Sequence, residues 1–146
     1  MPYFTYDTSV IISRKVDLRD MPPTFLLSSV VLMELAAGAI DVSQRKVFEQ
    51  LFLQYQKDKS LIVPTEDDWL IAAKILFLLT HARKRLQRGK LQRLASGASQ
   101  RLALDVLIVS ARRWKAQVVT ENWTDFKAIQ RYCNTTIVKA ASFFSK

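Results

Sequence analysis

"LALDVLIVSARRWKAQVVTENWTDF", residues 102–126, decides how the fold is read. Its first part repeats apolar residues at helical spacing, "QVVTEN" is a short β-branched run, and "WTDF" opens a turn into a further helix. A helix feeding a strand that feeds a helix is the building unit of a parallel α/β sheet. The same stretch raises a chemical question. Asp105 stands among Leu102, Leu104, Val106, Leu107, Ile108 and Val109, and a carboxylate in such company is costly to bury unless something pairs with it.

Outward from this stretch the alternation continues. "YFTYD" predicts a first strand closing at Asp7, with "TSVIIS" a helix or turn behind it. "TFLLSS" predicts a second strand, and Ser28 or Ser29 can cap a helix through "VVLMELAAGAI". In "VSQRKVFEQLFLQYQKDK", Val47, Phe48, Leu51, Phe52 and Tyr55 form one stripe of an amphipathic helix. "LIVP" is a short strand, after which Thr65 and Asp68 form a capping box for a helix over 69–83. A helix from about 99 to 114 follows the basic segment, and "TTIVKA" closes the chain as a last strand. The expectation is a mostly parallel sheet covered on both faces, in one domain spanning 1–146.

Composition bounds the function. The chain has 146 residues, 49% of them hydrophobic, enough for one substantial core. The most apolar runs, 30–40 and 69–80, contain Glu34 and Lys74 and are too short for a bilayer, so both are expected in the core. The opening "MPYFTYDTSV" carries no basic leader before a long apolar stretch, and Cys133 is the single cysteine. Both fit a cytoplasmic protein with no secretion signal and no membrane partner. Lys and Arg number 22 against 13 Asp and Glu, and residues 81–101, "HARKRLQRGKLQRLASGASQR", hold seven of the 22 and no acid. Such a helix-loop-helix segment favours a polyanion, nucleic acid before membrane, since no Trp or Phe interleaves with the charges. The plainer alternative is a solvated surface.

Several chemistries drop out. Gly38, Gly89 and Gly97 are the only glycines, so no glycine-rich phosphate loop can be built. His81 is the only histidine and lies in the basic segment, which leaves no Ser-His-Asp or Cys-His pair and no zinc cluster. Carboxylates remain. Asp17, Asp20, Asp41, Asp58, Glu66, Asp67 and Asp68 fall in polar loops or at helix starts, and Glu49 on a polar helix face. Asp7, Glu34 and Asp105 differ. Glu34 and Asp105 project from apolar helix faces, and Asp7 closes the first strand, at the edge where a parallel sheet presents ligands. Three carboxylates in one semi-buried region repel one another, and a divalent cation is the simplest compensation. Oxygen-only ligation favours Mg²⁺ or Mn²⁺. The structural alternatives are that Asp7 merely caps the helix at Thr8, and that Glu34 and Asp105 pair with buried arginines.

In "YDTSVII", "SSVVLMELAAG", "LALDVLIVSARRWKAQVVTEN" and "NWTDF" the chain resembles PIN-domain ribonucleases, in particular the VapC-type toxins of toxin–antitoxin pairs. The resemblance runs from about Phe4 to Phe126, with the segments in the family's order and spacing. It implies a PIN-like three-layer α/β/α sandwich with a mainly parallel central sheet of four to five strands. It implies that Asp7, Glu34 and Asp105 are acidic metal-binding positions, with the fourth in "TENWTDF", where Asn122 and Asp125 occupy the matching places. Ser9 and Thr120 match hydroxyls that support the site. The basic segment looks longer and more positive than the matching connection in typical members.

The activity implied is metal-dependent endoribonuclease chemistry, hydrolysing RNA phosphodiester bonds with catalytic Asp7, Glu34, Asp105 and Asp125 around Mg²⁺ or Mn²⁺. Arg83, Lys84, Arg85 and Arg88 would hold the RNA phosphates. The resemblance also implies a homodimer and a small cognate antitoxin whose C-terminal segment crosses the active-site groove; the face with Trp69, Phe77 and Leu78 offers either a contact surface or core. Two alternatives stay open. One is a catalytically inactive PIN-like scaffold that binds RNA or protein; the other keeps the metal chemistry and takes DNA.

Overall fold

The computed structural model describes residues 2–86 and 97–145. In chain order its elements are β1 (Phe4–Tyr6), α1 (Thr8–Ser13), β2 (Leu27–Ser28), α2 (Ser29–Ala37), α3 (Val42–Lys57), β3 (Leu61–Ile62), α4 (Glu66–Leu86), α5 (Gly97–Ile108), a 3₁₀ turn (Val109–Trp114), β4 (Gln117–Thr120), α6 (Trp123–Gln130), β5 (Thr136–Lys139) and α7 (Ala140–Phe144).

Every strand pairing among them is parallel. β1 pairs with β4, setting Phe4 opposite Gln117, and β4 pairs with β5, setting Thr120 opposite Lys139. β2 pairs with β3, and one parallel bridge between Phe4 and Phe25 ties this pair to β1. The resulting order is β3-β2-β1-β4-β5, a three-stranded and a two-stranded sheet joined at β1. Connections run one way from β1 and the other way from β4, so the strand order reverses between these two. In open α/β sheets the crevice beyond the carboxyl ends at such a switch point is where ligands bind. Both faces of the sheet are covered, because the adjacent Val118 and Val119 point to opposite faces and both are fully buried.

Local chemistry explains the helix starts. Asp7 caps α1, Ser28 caps α2 by accepting from the Val30 N–H, and Asp41 caps α3. Thr65 and Asp68 form the expected reciprocal box, with Thr65 N–H donating to Asp68 Oδ2 at 2.8 Å and Asp68 N–H donating to Thr65 Oγ1 at 3.2 Å. Several ends are closed without glycine. Lys15, Lys59 and Lys115 take left-handed conformations (φ 51°, 56° and 53°) after α1, after α3 and after the 3₁₀ turn, a conformation that costs a side-chain-bearing residue about 1 kcal/mol.

The structure corrects several expectations. The strand expected over "TFLLSS" shrinks to Leu27–Ser28 plus the bridge at Phe25. The helix expected to run to 114 ends at Ile108 and tightens into the 3₁₀ turn; apolar periodicity does not distinguish the two windings at a helix end. A short helix, α7, follows the last strand. The runs expected wholly in the core are amphipathic instead: Trp69 (58%), Leu70 (71%) and Phe77 (58%) are exposed, as are Met33 and Ile40, while Ala72, Ile75 and Leu79 carry the buried side of α4. Nor is Asp68 explained by a helix dipole and solvent. It is 4% exposed and holds both Arg113, at 2.8 Å, and Arg112, at 3.3 Å. Among the described residues no helix is long and apolar enough to cross a membrane.

Candidate functional site

The sheet edge at the β1/β4 switch carries the candidate site. Asp7 follows β1 directly, and its carboxylate is almost fully buried. Ser9 Oγ donates to Asp7 Oδ1 at 2.6 Å, the Val10 N–H to the same oxygen at 3.2 Å, and Thr120 Oγ1 to Asp7 Oδ2 at 2.6 Å. The Val10 bond is the helix cap, so the capping role and the site position coincide in one side chain. Burial pushes the Asp7 carboxyl above its ordinary value; bonds from Ser9, Thr120 and Val10 oppose this, and the nearby Glu121 charge adds to it.

Glu34 projects from α2 toward the same edge, half-buried, and accepts from Thr8 Oγ1 at 3.0 Å. Burial raises its carboxyl as well, the Thr8 bond lowers it, and the charge of Asp7 raises it further. Asp7 and Glu34 therefore feel each other as like charges. Among the described residues no Lys, Arg or His forms an ion pair with either of them.

Asp105 comes from α5 and is 9% exposed. Asn122 stands at the start of α6, where its side chain leaves the helix uncapped and turns to two carboxylates instead: Nδ2 donates to Asp125 Oδ2 at 3.0 Å and to Asp105 Oδ2 at 3.4 Å. The Asn122 N–H donates to Thr120 Oγ1 at 2.7 Å, the hydroxyl that donates to Asp7. A continuous path of hydrogen bonds thus runs from Asp7 through Thr120 and Asn122 to Asp105 and Asp125. Ser9 lies on a second branch, its Oγ accepting from the Glu121 N–H at 3.3 Å.

The donor set is the oxygen-rich one that hard divalent cations take. The buried Asp7 and half-buried Glu34, like-charged and without a cationic partner among the described residues, fit such an ion chemically. Among the described residues, however, no three acidic, histidine or cysteine side chains lie together closely enough to share one ion. Hydroxyl and amide donors occupy the carboxylates instead. Glu121 and Thr8 belong to this network and are absent from the sequence-based set. Thr8 follows Asp7 and Glu121 lies inside "TENWTDF", so both could have been found by examining the immediate neighbours of the chosen acids. Glu121 itself is held by Arg14 at 2.9 Å. Of the residues expected to hold RNA, Arg88 and the side chains of Arg83, Lys84 and Arg85 lie outside the described residues.

No family model matches the sequence, and no curated protein is found to be similar to it. Solved structures are. A chain of the DNA-bound VapBC from Salmonella typhimurium superposes with a TM-score of 0.53 at 16% identity, over 96% of this chain and 99% of that one. A chain of VapBC-1 from nontypeable Haemophilus influenzae does so with a TM-score of 0.52 at 15% identity, over 95% and 98%. Likeness of this extent at such low identity speaks for the architecture, and the chain has the PIN-like, mainly parallel α/β fold.

Proposed function

We propose that this chain is a VapC-type, metal-dependent endoribonuclease, the toxin of a toxin–antitoxin pair. The observation that carries the proposal is the Asp7–Glu34 pair: two like-charged carboxylates at the switch point of a PIN-like sheet, both raised by burial and neither neutralised by a described cation. Asp7, Glu34 and Asp105 would hold Mg²⁺ or Mn²⁺, with Asn122 and Asp125 completing the set. A bound ion supplies polarisation of the scissile phosphate and a water of lowered pKa for in-line attack. Ser9 and Thr120 fix the Asp7 carboxylate, one on each oxygen. Asn122 holds Asp105 and Asp125 toward one another while Asp125 serves as the fourth acid. Arg83, Lys84, Arg85 and Arg88 would grip flanking phosphates, giving affinity that falls with salt.

A small antitoxin, a second copy of the chain and a cytoplasmic setting belong to the same reading. Exposed Ile12 and Ile40 line a groove of about 750 Å³ that reaches Glu34, which suits a partner segment laid across the site. The exposed Trp69, Leu70 and Phe77 of α4 suit a dimer. A second reading, a PIN-like scaffold that binds RNA or protein without catalysis, is favoured by one observation: among the described residues no three acidic, histidine or cysteine side chains lie close enough for one ion.

Titrating Mg²⁺ and Mn²⁺ into the purified chain and into Asp105→Asn separates the two, with thermal stability and cleavage of a mixed structured-RNA pool as readouts. The nuclease reading expects metal-dependent stabilisation and cleavage in the parent, with cleavage falling about a hundredfold or more in Asp105→Asn. A folded parent that shows neither response overturns it in favour of the scaffold.

A further inference from the structure

Immediately beyond the carboxylates, one aromatic ring and two ammonium groups meet. Trp123 follows Asn122 at the start of α6 and is half-buried. Lys127 Nζ, one helical turn on, lies 5.8 Å from the indole centroid, and Lys139 Nζ, from the end of β5, lies 5.0 Å from it. Two like charges are thereby held within about 11 Å of each other. Both lysines are exposed, and neither has an acidic partner among the described residues. The sheet register fixes where this group sits. Lys139 is opposite Thr120, whose hydroxyl donates to Asp7, so it stands one strand over from the carboxylates at the same level of the same edge.

We propose that Trp123, Lys127 and Lys139 form a binding platform for single-stranded RNA beside the carboxylate site. The two ammonium groups over the indole turn outward to the phosphates on either side, and the ring face they leave stacks on one base. An aromatic face next to cations that have no acidic partner among the described residues is what sequence-tolerant single-strand binding uses, stacking for the base and charge for the backbone. A strand lying on this platform continues along the carboxyl ends of β5, β4 and β1, which brings the next phosphates past Asn122 and Asp125 to Asp7. The choice of RNA rests on the proposed nuclease reading; the platform itself rests on the geometry of the ring and its two cations.

The test measures binding apart from cleavage. A fluorescently labelled 12-nucleotide single-stranded RNA is titrated with the full chain in EDTA, where no divalent ion is present, across a range of salt. The parent is compared with Trp123→Phe, Trp123→Ala and Lys127→Ala/Lys139→Ala, and thermal melts check that each is folded. The platform expects Lys127→Ala/Lys139→Ala to weaken binding and to flatten the dependence of log K on log salt by about 1.4 units. It expects Trp123→Ala to lose about tenfold in affinity with the salt slope kept, and Trp123→Phe to stay near the parent because a stacking face remains. RNA affinity unchanged in folded Trp123→Ala and in the double lysine variant, with the parent's salt slope, overturns the proposal and leaves the lysines as packing around the indole. A parent with no RNA affinity overturns it equally. If the platform variants lose binding while the parent never cleaves RNA with Mg²⁺ or Mn²⁺, the nuclease reading fails and the platform stands.

Discussion

Asp7 and Asp68 are two carboxylates buried to almost the same degree, 3% and 4% exposed, and each serves at a helix N-terminus. Their surroundings are opposite. Around Asp68, burial alone would raise the carboxyl, but the two Thr65 bonds and the guanidinium groups of Arg113 and Arg112 outweigh it and hold the group below its ordinary value. Around Asp7, three neutral donors fail to outweigh burial, and the charge of Glu121 makes ionisation harder still. One carboxylate arrives with its positive charge built in. The other is held in place by hydroxyls and left open to a positive charge from outside. Burial by itself therefore says little about the role of an acid; the charge of its partners separates a structural clamp from a candidate ligand site.

The comparison breaks most visibly on activity. Asp7→Asn is expected to reduce RNA cleavage by about a hundredfold or more while leaving the protein at least as stable as the parent at neutral pH, since Asn caps a helix as well as Asp. The sign follows from the raised carboxyl. A group whose folded value lies above its unfolded one favours folding below the unfolded value and loses that contribution as pH rises through the folded value. At neutral pH the ionised Asp7 is a burden, and thermal melts from pH 7 toward pH 4 should show the parent's deficit relative to Asp7→Asn closing. An Asp7→Asn protein that melts well below the parent at pH 7 would contradict this account.

Asp68→Asn should do the reverse. It strips the charge from a buried clamp and is expected to cost about 2 kcal/mol, discounted for the partial exposure of the arginines, visible as a melting temperature lower by roughly 6 °C. Because the Asp68 carboxyl is held low, its contribution is present at neutral pH and lost as pH falls through that low value. The Asp68→Asn deficit should thus persist at pH 5, where that of Asp7 is already fading.

Divalent cation sharpens the contrast further. Mg²⁺ at about 100 times its dissociation constant should stabilise the parent and Asp68→Asn alike, by as much as about 2.7 kcal/mol, and should leave Asp7→Asn unmoved in differential scanning fluorimetry. The smallest effect is a control placed away from both acids. Lys59→Gly and Lys115→Gly relieve left-handed backbone at helix ends and should each add about 0.5–1 kcal/mol, with the metal response unchanged.

What the sequence made legible was local. The Thr65–Asp68 box is contained within four residues and formed as read. The β/α alternation followed from period and turn chemistry, and it led to the parallel sheet. Glu34 and Asp105 stood out because each is an acid on an apolar helix face, and Asp7 because it closes the first strand. Asp68 did not, because its guanidinium partners lie 44 and 45 residues away and the residues before it, Thr65, Glu66 and Asp67, read as a polar helix start. Thr8 and Glu121 escaped for a different reason: an exposed acid and a helix-start hydroxyl look ordinary until the strand ends are brought together. The outward side of α4 was misjudged since a run containing Trp69, Leu70 and Phe77 is apolar on both faces by composition, and only packing decides which face is left over.

The reversal of strand order at β1 has one more consequence, in time rather than in space. Asp7 leaves the ribosome well before its partner: the hydroxyl that holds its second oxygen belongs to Thr120, 113 residues later. The β4 strand that carries Thr120 is flanked on its far side by β5, which ends only at Lys139. At about 5–20 residues per second, roughly 6 to 23 seconds separate the emergence of the two side chains during translation. For all of that interval the carboxylate edge lacks one wall. A chain of this topology cannot complete its site on the ribosome before Thr120, and the β5 strand beside it, have been translated.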